Sequence, residues 1–323
     1  MLVLGLQGSP RKNGSADYLL RHVLREIEKT GAAVETLDIP RMNIRPCLGC
    51  GYCEKKGFCV IDDDDMAVSV YPLLRKAQVV IAASPVFFYS VTAQLKALID
   101  RTQALWARKY RFHLSDPLST SRKGVFLSMG GSRGKKLFDG IHLVATYFFD
   151  AVDAASSGSL TYPGIETPAD FQNRPDLIPE ISNTVQELMS PLLERKRILF
   201  LGKQDDIRTC MAVALARFQA GKKLQVVTDE NEPARKTHPG VIKALADIGI
   251  DMAFPQPPLR SGSLRESPPD ITVSMSEDVK LPAIPHVRTL TWNLPDPGRA
   301  TFDVIVRLRE QIRENITRMT TEL

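Results

Sequence analysis

Strand-like apolar runs and amphipathic helical patterns alternate five times along the first 195 residues. Short apolar or alternating runs predict strands, and apolar residues three to four positions apart predict helices. Because neighbouring parallel strands need a crossover connection, this alternation predicts an α/β fold with a doubly wound parallel sheet covered by helices on both faces. The predicted strands are 2–7, 33–38, 78–84, 124–129 and 157–162, and the predicted helices lie near 15–29, 65–76, 90–106, 137–151 and 174–193.

A charged segment, residues 192–197, ends this alternation, and a second run of strand and helix patterns follows it. The second run predicts a further, smaller α/β domain. We therefore predict two domains, residues 1–195 and residues 196–323. A proline- and serine-rich stretch, residues 254–270, predicts an exposed loop. The predicted strands of the second domain are 197–202, 224–229, 270–275 and 287–292, and its predicted helices are 208–220, 239–249 and 299–319.

The composition narrows the class of protein. A chain of 323 residues with 43% apolar and 24% charged residues is typical of a soluble globular protein of two domains. No stretch approaches the roughly 18 apolar residues of a membrane span, and the N-terminus lacks the basic segment of a signal peptide. We expect a cytoplasmic protein with no membrane partner. The formal charge of +5 is scattered without interleaved aromatic residues, which argues against nucleic-acid binding.

The loop after the first predicted strand has the composition of a phosphate site. Gly8 and Gly14 allow tight turns, and a helix begins directly afterwards, so its free N–H groups and positive dipole end face the same pocket. An ordinary polar strand–helix turn with Ser15 near the N-cap is the alternative. The stretch is neither a dinucleotide fingerprint nor a nucleoside-triphosphate loop. The predicted donors of the phosphate site are the side chains of Ser9, Arg11, Asn13 and Ser15.

Two further loops follow strands at the same predicted edge of the sheet, where ligands of open parallel sheets bind. An aromatic turn after the third strand can lie against a flat heterocycle, with the alternative that Phe87 and Phe88 belong to the core. Gly130 and Gly131, after the fourth strand, allow a close approach of the backbone to a ligand. The residues of the aromatic turn are Pro85, Val86, Phe87, Phe88 and Tyr89.

Four of the five cysteines lie within residues 47–59, at the spacing C-x2-C-x2-C-x5-C. In a reducing cytoplasm disulfides are disfavoured. Consecutive C-x2-C steps are typical of iron–sulfur ligation, whereas structural zinc more often uses two separated C-x2-C pairs. Iron–sulfur, zinc and free thiols stay open at this point. The candidate ligands are Cys47, Cys50, Cys53 and Cys59, with Gly57 as the pivot before the last of them.

The acidic run at residues 62–65 admits two interpretations. Four consecutive carboxylates can bind a divalent metal. They also precede a predicted helix that starts near Met66, where carboxylates accept hydrogen bonds from free N–H groups and offset the dipole. We favour the helix start. The five histidines are dispersed, and we assign no catalytic residue.

The first domain contains three motifs that together resemble those of a known family. In chain order they are residues 8–20, the cysteine loop with residues 60–66, and residues 84–101. They resemble the NAD(P)H-dependent FMN reductase group of flavodoxin-like proteins, and the cysteine spacing resembles the iron–sulfur flavoproteins within it. The resemblance implies FMN, with its phosphate at the first loop (including Gly14) and its ring near the aromatic turn and Gly130–Gly131. It also implies a 4Fe–4S cluster on the four cysteines, and a homodimer or homotetramer in which the cysteine loop lies near a neighbouring subunit's flavin.

The second domain resembles the low-molecular-weight phosphotyrosine phosphatases and the related thioredoxin-coupled arsenate reductases, over residues 197–315. Those proteins use a C-x5-R loop in which a thiolate attacks the oxyanion. Here Arg208 keeps the arginine position, but Gly202 stands where the nucleophile belongs. Asp296 matches the general acid, and the loop contains Asp205 and Asp206. Cys210 lies within the following helix and is predicted to be part of the core. We expect that the second domain keeps the fold of these enzymes and has lost their phosphatase and arsenate reductase activities.

These observations predict an FMN-dependent oxidoreductase that transfers electrons between a donor and an acceptor. The expected redox partner is NAD(P)H or a ferredoxin-like protein. One alternative is an NAD(P)H-dependent FMN or quinone reductase without a cluster. The other is a redox sensor or scaffold whose second domain contacts a partner.

Overall fold

The computed structural model describes residues 1–202, 207–227, 237–254, 268–278, 286–295 and 301–323. These residues form two compact units. The first contains residues 1–113 and 122–191, and the second contains residues 114–121 and 192–323. No helix within the described ranges is both long and apolar enough to cross a membrane.

The first unit is a five-stranded parallel sheet with strand order β2-β1-β3-β4-β5. The predicted α/β class and parallel sheet are confirmed, and the strand order is that of the flavodoxin-like doubly wound folds. The strands are β1 Leu2–Gln7, β2 Ala33–Asp38, β3 Val79–Pro85, β4 Lys123–Gly130 and β5 Ala155–Pro163. The helices are α1 Ser15–Glu28, α2 Tyr52–Lys56, α3 Tyr71–Lys76, α4 Ala93–Arg101, α5 Gln103–Arg111, α6 Asp139–Ala151, α7 Pro168–Gln172 and α8 Leu177–Leu193.

The buried strands explain why the sheet forms. β1 is buried throughout, and β3 and β4 are buried except at one end, as expected for central strands covered on both faces. The apolar positions of α1 recur at helical spacing and are buried. At about 25 cal/mol per Å² of buried apolar surface, this core dominates the stability of the unit.

Some helices differ from their predicted bounds. The helix predicted at 90–106 is two helices, because α4 ends and α5 begins around Thr102. The helix predicted near 65–76 begins with a π-helical turn, Met66–Val70. The short helix α2, inside the cysteine loop, was not predicted, since its five residues, which include Cys53, are too few to show an apolar periodicity.

The second unit is a four-stranded parallel sheet with order β7-β6-β8-β9. Its apolar core includes Met211 and Leu215 of α9, Val273 of β8 and Ile312 of α11. The predicted loop at 254–270 lies mostly outside the described residues. The strands are β6 Lys196–Leu201, β7 Leu224–Val227, β8 Ile271–Ser274 and β9 Arg288–Thr291, and the helices are α9 Ile207–Ala220, α10 Pro239–Ala246 and α11 Phe302–Thr321.

Residues 114–121 belong to this second unit although they precede β4 in sequence. The Ser115 amide donates to the Gly249 carbonyl at 2.9 Å, and the Asp251 amide donates to the Ser115 carbonyl at 2.8 Å. The Thr120 hydroxyl donates to the Arg217 carbonyl at 3.2 Å. This segment therefore completes the second unit from the first half of the sequence, within the predicted domain of residues 1–195.

Candidate functional site

The first candidate site begins at the loop between β1 and α1, at the carboxyl end of the sheet. The Ser9 hydroxyl accepts from the Arg11 amide at 3.2 Å, and the Gly14 amide donates to the Arg11 carbonyl at 3.2 Å. Gly14 then precedes the helix without a capping side chain. The Ser15 hydroxyl oxygen is buried and has no hydrogen-bond partner among the described residues. An uncapped helix start beside an unpartnered hydroxyl suits a phosphate group.

The backbone approaches closely behind this loop. The Gly8 amide donates to the Ala83 carbonyl of β3 at 2.8 Å, and a Cβ at position 8 would lie 2.8 Å from the same oxygen. The buried Thr92 hydroxyl donates to the Gly8 carbonyl at 2.5 Å. Thr92 therefore connects the loop between β1 and α1 to the segment after β3, a contact that only the folded chain reveals.

The aromatic turn after β3 projects into solvent. Phe87 and Ser90 exchange two backbone hydrogen bonds of 2.9 and 3.0 Å, which closes a tight turn. Phe88 and Tyr89 occupy this turn with φ values of 49° and 60°, in the left-handed region that such residues seldom adopt. Phe87 is 41% exposed and Phe88 is fully exposed at 101%. The alternative that these two rings belong to the core is wrong.

Residues at or after the ends of four strands, β1, β3, β4 and β5, meet in one cavity of about 240 Å³. Asn13, Gly14, Phe88 and Tyr89 do not line it, although all four were predicted for the site. Asn13 instead lies on the surface within 3.5 Å of Arg21. The predicted residues that line the cavity are Ser9, Arg11, Ser15, Pro85, Val86, Phe87, Gly130 and Gly131, and those that sequence reasoning missed are Ala16, Met129, Ile165 and Glu166.

The missed residues include one carboxylate. Glu166 follows β5, and its side chain lies where a Cβ at Gly131 would fall, so a larger residue at position 131 would displace it. The Ile165 and Gly164 amides both donate to the Gly130 carbonyl, at 3.1 and 2.7 Å. The loop after β5 therefore closes this cavity. Its place after the last strand of a parallel sheet was the signal available in the sequence.

The second candidate site is the cysteine loop. All four cysteines line one cavity of about 380 Å³, together with other residues of the same loop and with Asp100, Arg101, Gln103 and Ala104 of α4 and α5. Gly51 and Gly57 flank α2 with φ values of 65° and 76°, which confirms Gly57 as a turning point. The exposed cysteines are Cys47 and Cys50, and the half-buried ones are Cys53 and Cys59.

The surroundings of the cavity disfavour ionisation of the Cys53 thiol. Burial raises the pKa of the Cys53 thiol, and the nearby Cys59 and Cys47 raise it further. Neighbouring thiolates repel one another unless a cation offsets their charge. Within the described ranges, no three Cys, His, Asp or Glu side chains converge in the arrangement that binds a single metal ion. The donor set fits a cluster of several iron atoms, because each thiolate then binds a different atom.

Asp64, one residue of the acidic run, forms hydrogen bonds at the base of the cysteine loop. Asp64 is buried, and its Oδ1 accepts from the Ala67 amide at 3.3 Å, as predicted for a helix start. The same carboxylate binds the guanidinium of Arg101 at 2.7 Å, a contact that the sequence did not predict. Burial opposes ionisation of Asp64, but hydrogen bonds from Arg101 and the Arg45 amide outweigh it and lower the pKa of Asp64.

The second domain keeps the arginine of the C-x5-R loop of the families that it resembles. Gly202 follows β6, whereas residues 203–206, with Asp205 and Asp206, and Asp296 lie outside the described residues. The buried Arg208 guanidinium donates to the Leu294 carbonyl at 2.9 Å. Cys210 is half-buried in α9 and packs against the apolar core. The arginine that would hold an oxyanion is thus bound to the protein's own backbone.

Comparison with known proteins identifies the family of the chain. Residues 1–153 match the family described as NADPH-dependent FMN reductase. An iron–sulfur flavoprotein of Methanosarcina thermophila is 36% identical over 145 residues, which are 44% of this chain and 71% of that protein. The chain belongs to the iron–sulfur flavoproteins. An iron–sulfur flavoprotein of Archaeoglobus fulgidus is 31% identical over 179 residues, 54% of this chain and 85% of the relative.

As an iron–sulfur flavoprotein by family, the chain is an FMN-dependent oxidoreductase. It spans about half the length of two other curated relatives of the same description, 45% and 53%. Its second half is similar to an arsenate reductase of Bacillus cereus, at 28% identity over 128 residues, 39% of this chain and 95% of that enzyme. The iron–sulfur flavoprotein therefore combines an FMN reductase-type domain with an arsenate reductase-like one.

Proposed function

We propose that this iron–sulfur flavoprotein transfers electrons between a donor and an acceptor, with FMN in the cavity at Ser9–Ser15 and a 4Fe–4S cluster on Cys47, Cys50, Cys53 and Cys59. The observation that carries the proposal is that all four cysteines line a single cavity in the FMN reductase-type domain. When bound, FMN accepts one or two electrons and a cluster passes them singly, so the pair couples one-electron and two-electron partners.

The residues at the first site suit a flavin with one phosphate. The unpartnered Ser15 hydroxyl, the Arg11 guanidinium and the start of α1 supply donors for a single dianion. The flat part of the ligand would lie between Pro85–Phe87 and the backbone at Gly130–Gly131. There is one such loop in the described part of this domain, which favours FMN, with one phosphate, over FAD, with two, and NADP, with three.

The exposed aromatic turn supports a donor that reaches the flavin from solvent. The fully exposed Phe88 ring lies beside the cavity without lining it. Such a ring can stack on a nicotinamide of NAD(P)H or pack against a small redox protein. We propose that the turn at Phe88–Tyr89 contacts the electron donor.

The surface of the cysteine loop supports assembly with a second copy of the chain. Leu48, Tyr52, Phe58 and Val60 are between 40% and 69% exposed. Apolar residues concentrated on one loop mark an interaction surface. We propose that a homodimer or homotetramer covers this loop, in a reducing cytoplasm where the thiols stay free for iron.

Anaerobic purification of the full chain tests the proposal. The expected result is bound FMN with about four iron and four sulfide per chain. Cys50→Ala and Cys53→Ala should each remove the iron and leave the flavin bound. Cys210→Ala is the matched control, because this cysteine lies in the second unit, and it should keep both groups.

Other outcomes separate the alternatives. Flavin without iron or zinc supports an FMN or quinone reductase without a cluster. Stoichiometric zinc in place of iron supports a structural site. Full iron content in Cys50→Ala and Cys53→Ala contradicts the assignment of the ligands.

A further inference from the structure

Arg101, the last residue of α4, is buried at the base of the cysteine loop. Its side chain has no exposed surface, and neither has that of its partner Asp64. A buried guanidinium is costly unless several acceptors satisfy it. Its contacts therefore indicate what the residue is for.

Those contacts tie the two ends of the loop together. The guanidinium donates to the Arg45 carbonyl, just before the loop, and to the Ile61 carbonyl, just after it, both at 2.9 Å. It donates to the two carboxylate oxygens of Asp64 at 2.7 and 3.2 Å. Asp64 Oδ2 also accepts from the Arg45 amide at 3.0 Å. One ion pair thus fixes the entrance and the exit of residues 46–60.

The same side chain faces the thiols. Arg101 lines the cavity that the four cysteines line. Burial opposes its charge, but the hydrogen bonds that it donates to the Asp64 carboxylate outweigh burial and raise the pKa of Arg101, so it stays protonated. The Asp64 carboxylate offsets part of this charge, and the fixed guanidinium still stabilises negative charge that develops nearer to it than to Asp64.

We propose that Arg101 is a positioning residue of the cysteine site: it sets the separation of the loop's ends before metal binds, and its charge raises the reduction potential of the centre that the cysteines hold. The second half of this inference rests on the proposed function. Lysine would keep the charge but cannot satisfy four acceptors, since it lacks the planar fork of arginine. Arg101→Lys and Arg101→Gln therefore separate geometry from charge.

The test compares these two variants with Arg111→Gln in the full chain. Arg111 is the matched control, because it contacts Glu54 of the same loop from the surface, at 3.4 Å. In metal-free protein, hydrogen exchange of residues 46–60 should be about tenfold faster in both Arg101 variants, the equivalent of one lost charge-assisted hydrogen bond. Arg111→Gln should exchange as the wild type does.

After anaerobic reconstitution with iron and sulfide, Arg101→Gln should retain less iron than the wild type while its FMN content is unchanged. Its remaining centre should have a more negative reduction potential than that of Arg101→Lys. Unchanged exchange in both variants overturns the positioning role, and equal potentials in both overturn the role of the charge.

The outcomes distinguish this inference from the proposed function. Wild-type protein without iron refutes the proposed cluster and the role of the charge, whereas exchange in the metal-free chain still decides the positioning role. If Arg101→Gln fails to fold, Arg101→Lys and Asp64→Asn decide it, since either should loosen the same loop.

Discussion

In each domain the first strand of a parallel sheet leads into a long helix, and the polar side chains at the two helix starts have different surroundings. In the first domain the Ser15 hydroxyl is buried without a partner among the described residues, and Arg11 lines the cavity beside it. In the second domain Arg208 is bound to the Leu294 carbonyl, and Gly202 stands where a nucleophile is needed. The Ser15 hydroxyl has no partner among the described residues and is suited to an anion, whereas the Arg208 guanidinium already donates to a backbone carbonyl.

The second unit is stabilised by an apolar core. The apolar core of the second unit is formed by β6–β8, α9, α10 and α11. Arg208 contributes there by satisfying a backbone carbonyl, a structural role that needs no substrate. A buried arginine is tolerated when it finds such an acceptor.

The largest expected effect is on flavin binding at the first loop. Arg11→Ala should weaken FMN binding about 10- to 100-fold, and Ser15→Ala somewhat less, because each removes a hydrogen bond to a charged group worth about 1.5–3 kcal/mol. Isothermal titration of flavin-free protein measures the Kd. Lys12→Ala, in the same loop but outside the cavity, is the control. An unchanged Kd in Arg11→Ala would show that the phosphate binds elsewhere.

The corresponding substitution in the second domain, at Arg208, should lower the stability of that domain and leave FMN binding unchanged. Arg208→Leu leaves the Leu294 carbonyl without this donor, which costs about 1–3 kcal/mol. The chain has two tryptophans, one in each unit, so Trp292 reports on the second unit in a Trp106→Phe background. Urea unfolding followed by Trp292 fluorescence measures the loss, with the exposed Arg307→Leu as control. No loss of stability would mean that Arg208 is available for a ligand.

Acid should weaken the first domain through Asp64. Because its folded-state pKa is lowered, the Asp64–Arg101 pair stabilises the fold above the ordinary pKa of 3.8, and this contribution is lost as the pH falls through the folded-state pKa. In a Trp292→Phe background, Trp106 fluorescence in urea should show a falling midpoint as the pH drops below about 4. Asp64→Asn should be less stable at pH 7 and lose this part of the pH dependence. A wild-type midpoint that does not change in acid would contradict the pair's contribution.

The smallest expected effect is that of restoring the thiol. Gly202→Cys in the full chain should turn over neither p-nitrophenyl phosphate nor arsenate with thioredoxin, as we also expect of the wild type. A thiolate alone supplies the nucleophile, but the arginine that would hold the oxyanion is bound to Leu294. Turnover by the variant would show that the anion loop is intact, and turnover by the wild type would show that its chemistry was never lost.

Local patterns predicted the elements of this fold well and its long-range contacts poorly. All nine described strands lie within about two residues of predicted ones. The central strands β1, β3 and β4 are continuous buried apolar runs, and the exposed strands β2, β5 and β9 were predicted from shorter or alternating patterns. The Asp64–Arg101 pair joins residues 37 apart, and nothing at either position marks the other. The acidic run was therefore interpreted as a helix start alone, which describes one of its two roles.

The segment at 114–121 was harder still to place. It belongs to the second unit through hydrogen bonds to Gly249 and Asp251, residues more than a hundred positions later in the sequence. Periodicity reports which face of an element is buried and not against which partner. Glu166 was missed for a related reason, since the loop after β5 has no composition typical of a binding site.

The central claim is that one domain holds two redox groups, at the Ser9–Ser15 loop and at the four cysteines. Anaerobic titration with dithionite, followed by absorbance, counts the electrons that the purified chain takes up. We predict about three electron equivalents per chain, two for FMN and one for a cluster, and about two in Cys50→Ala. Two equivalents in both proteins would contradict the claim, because the cysteines would then hold no redox centre.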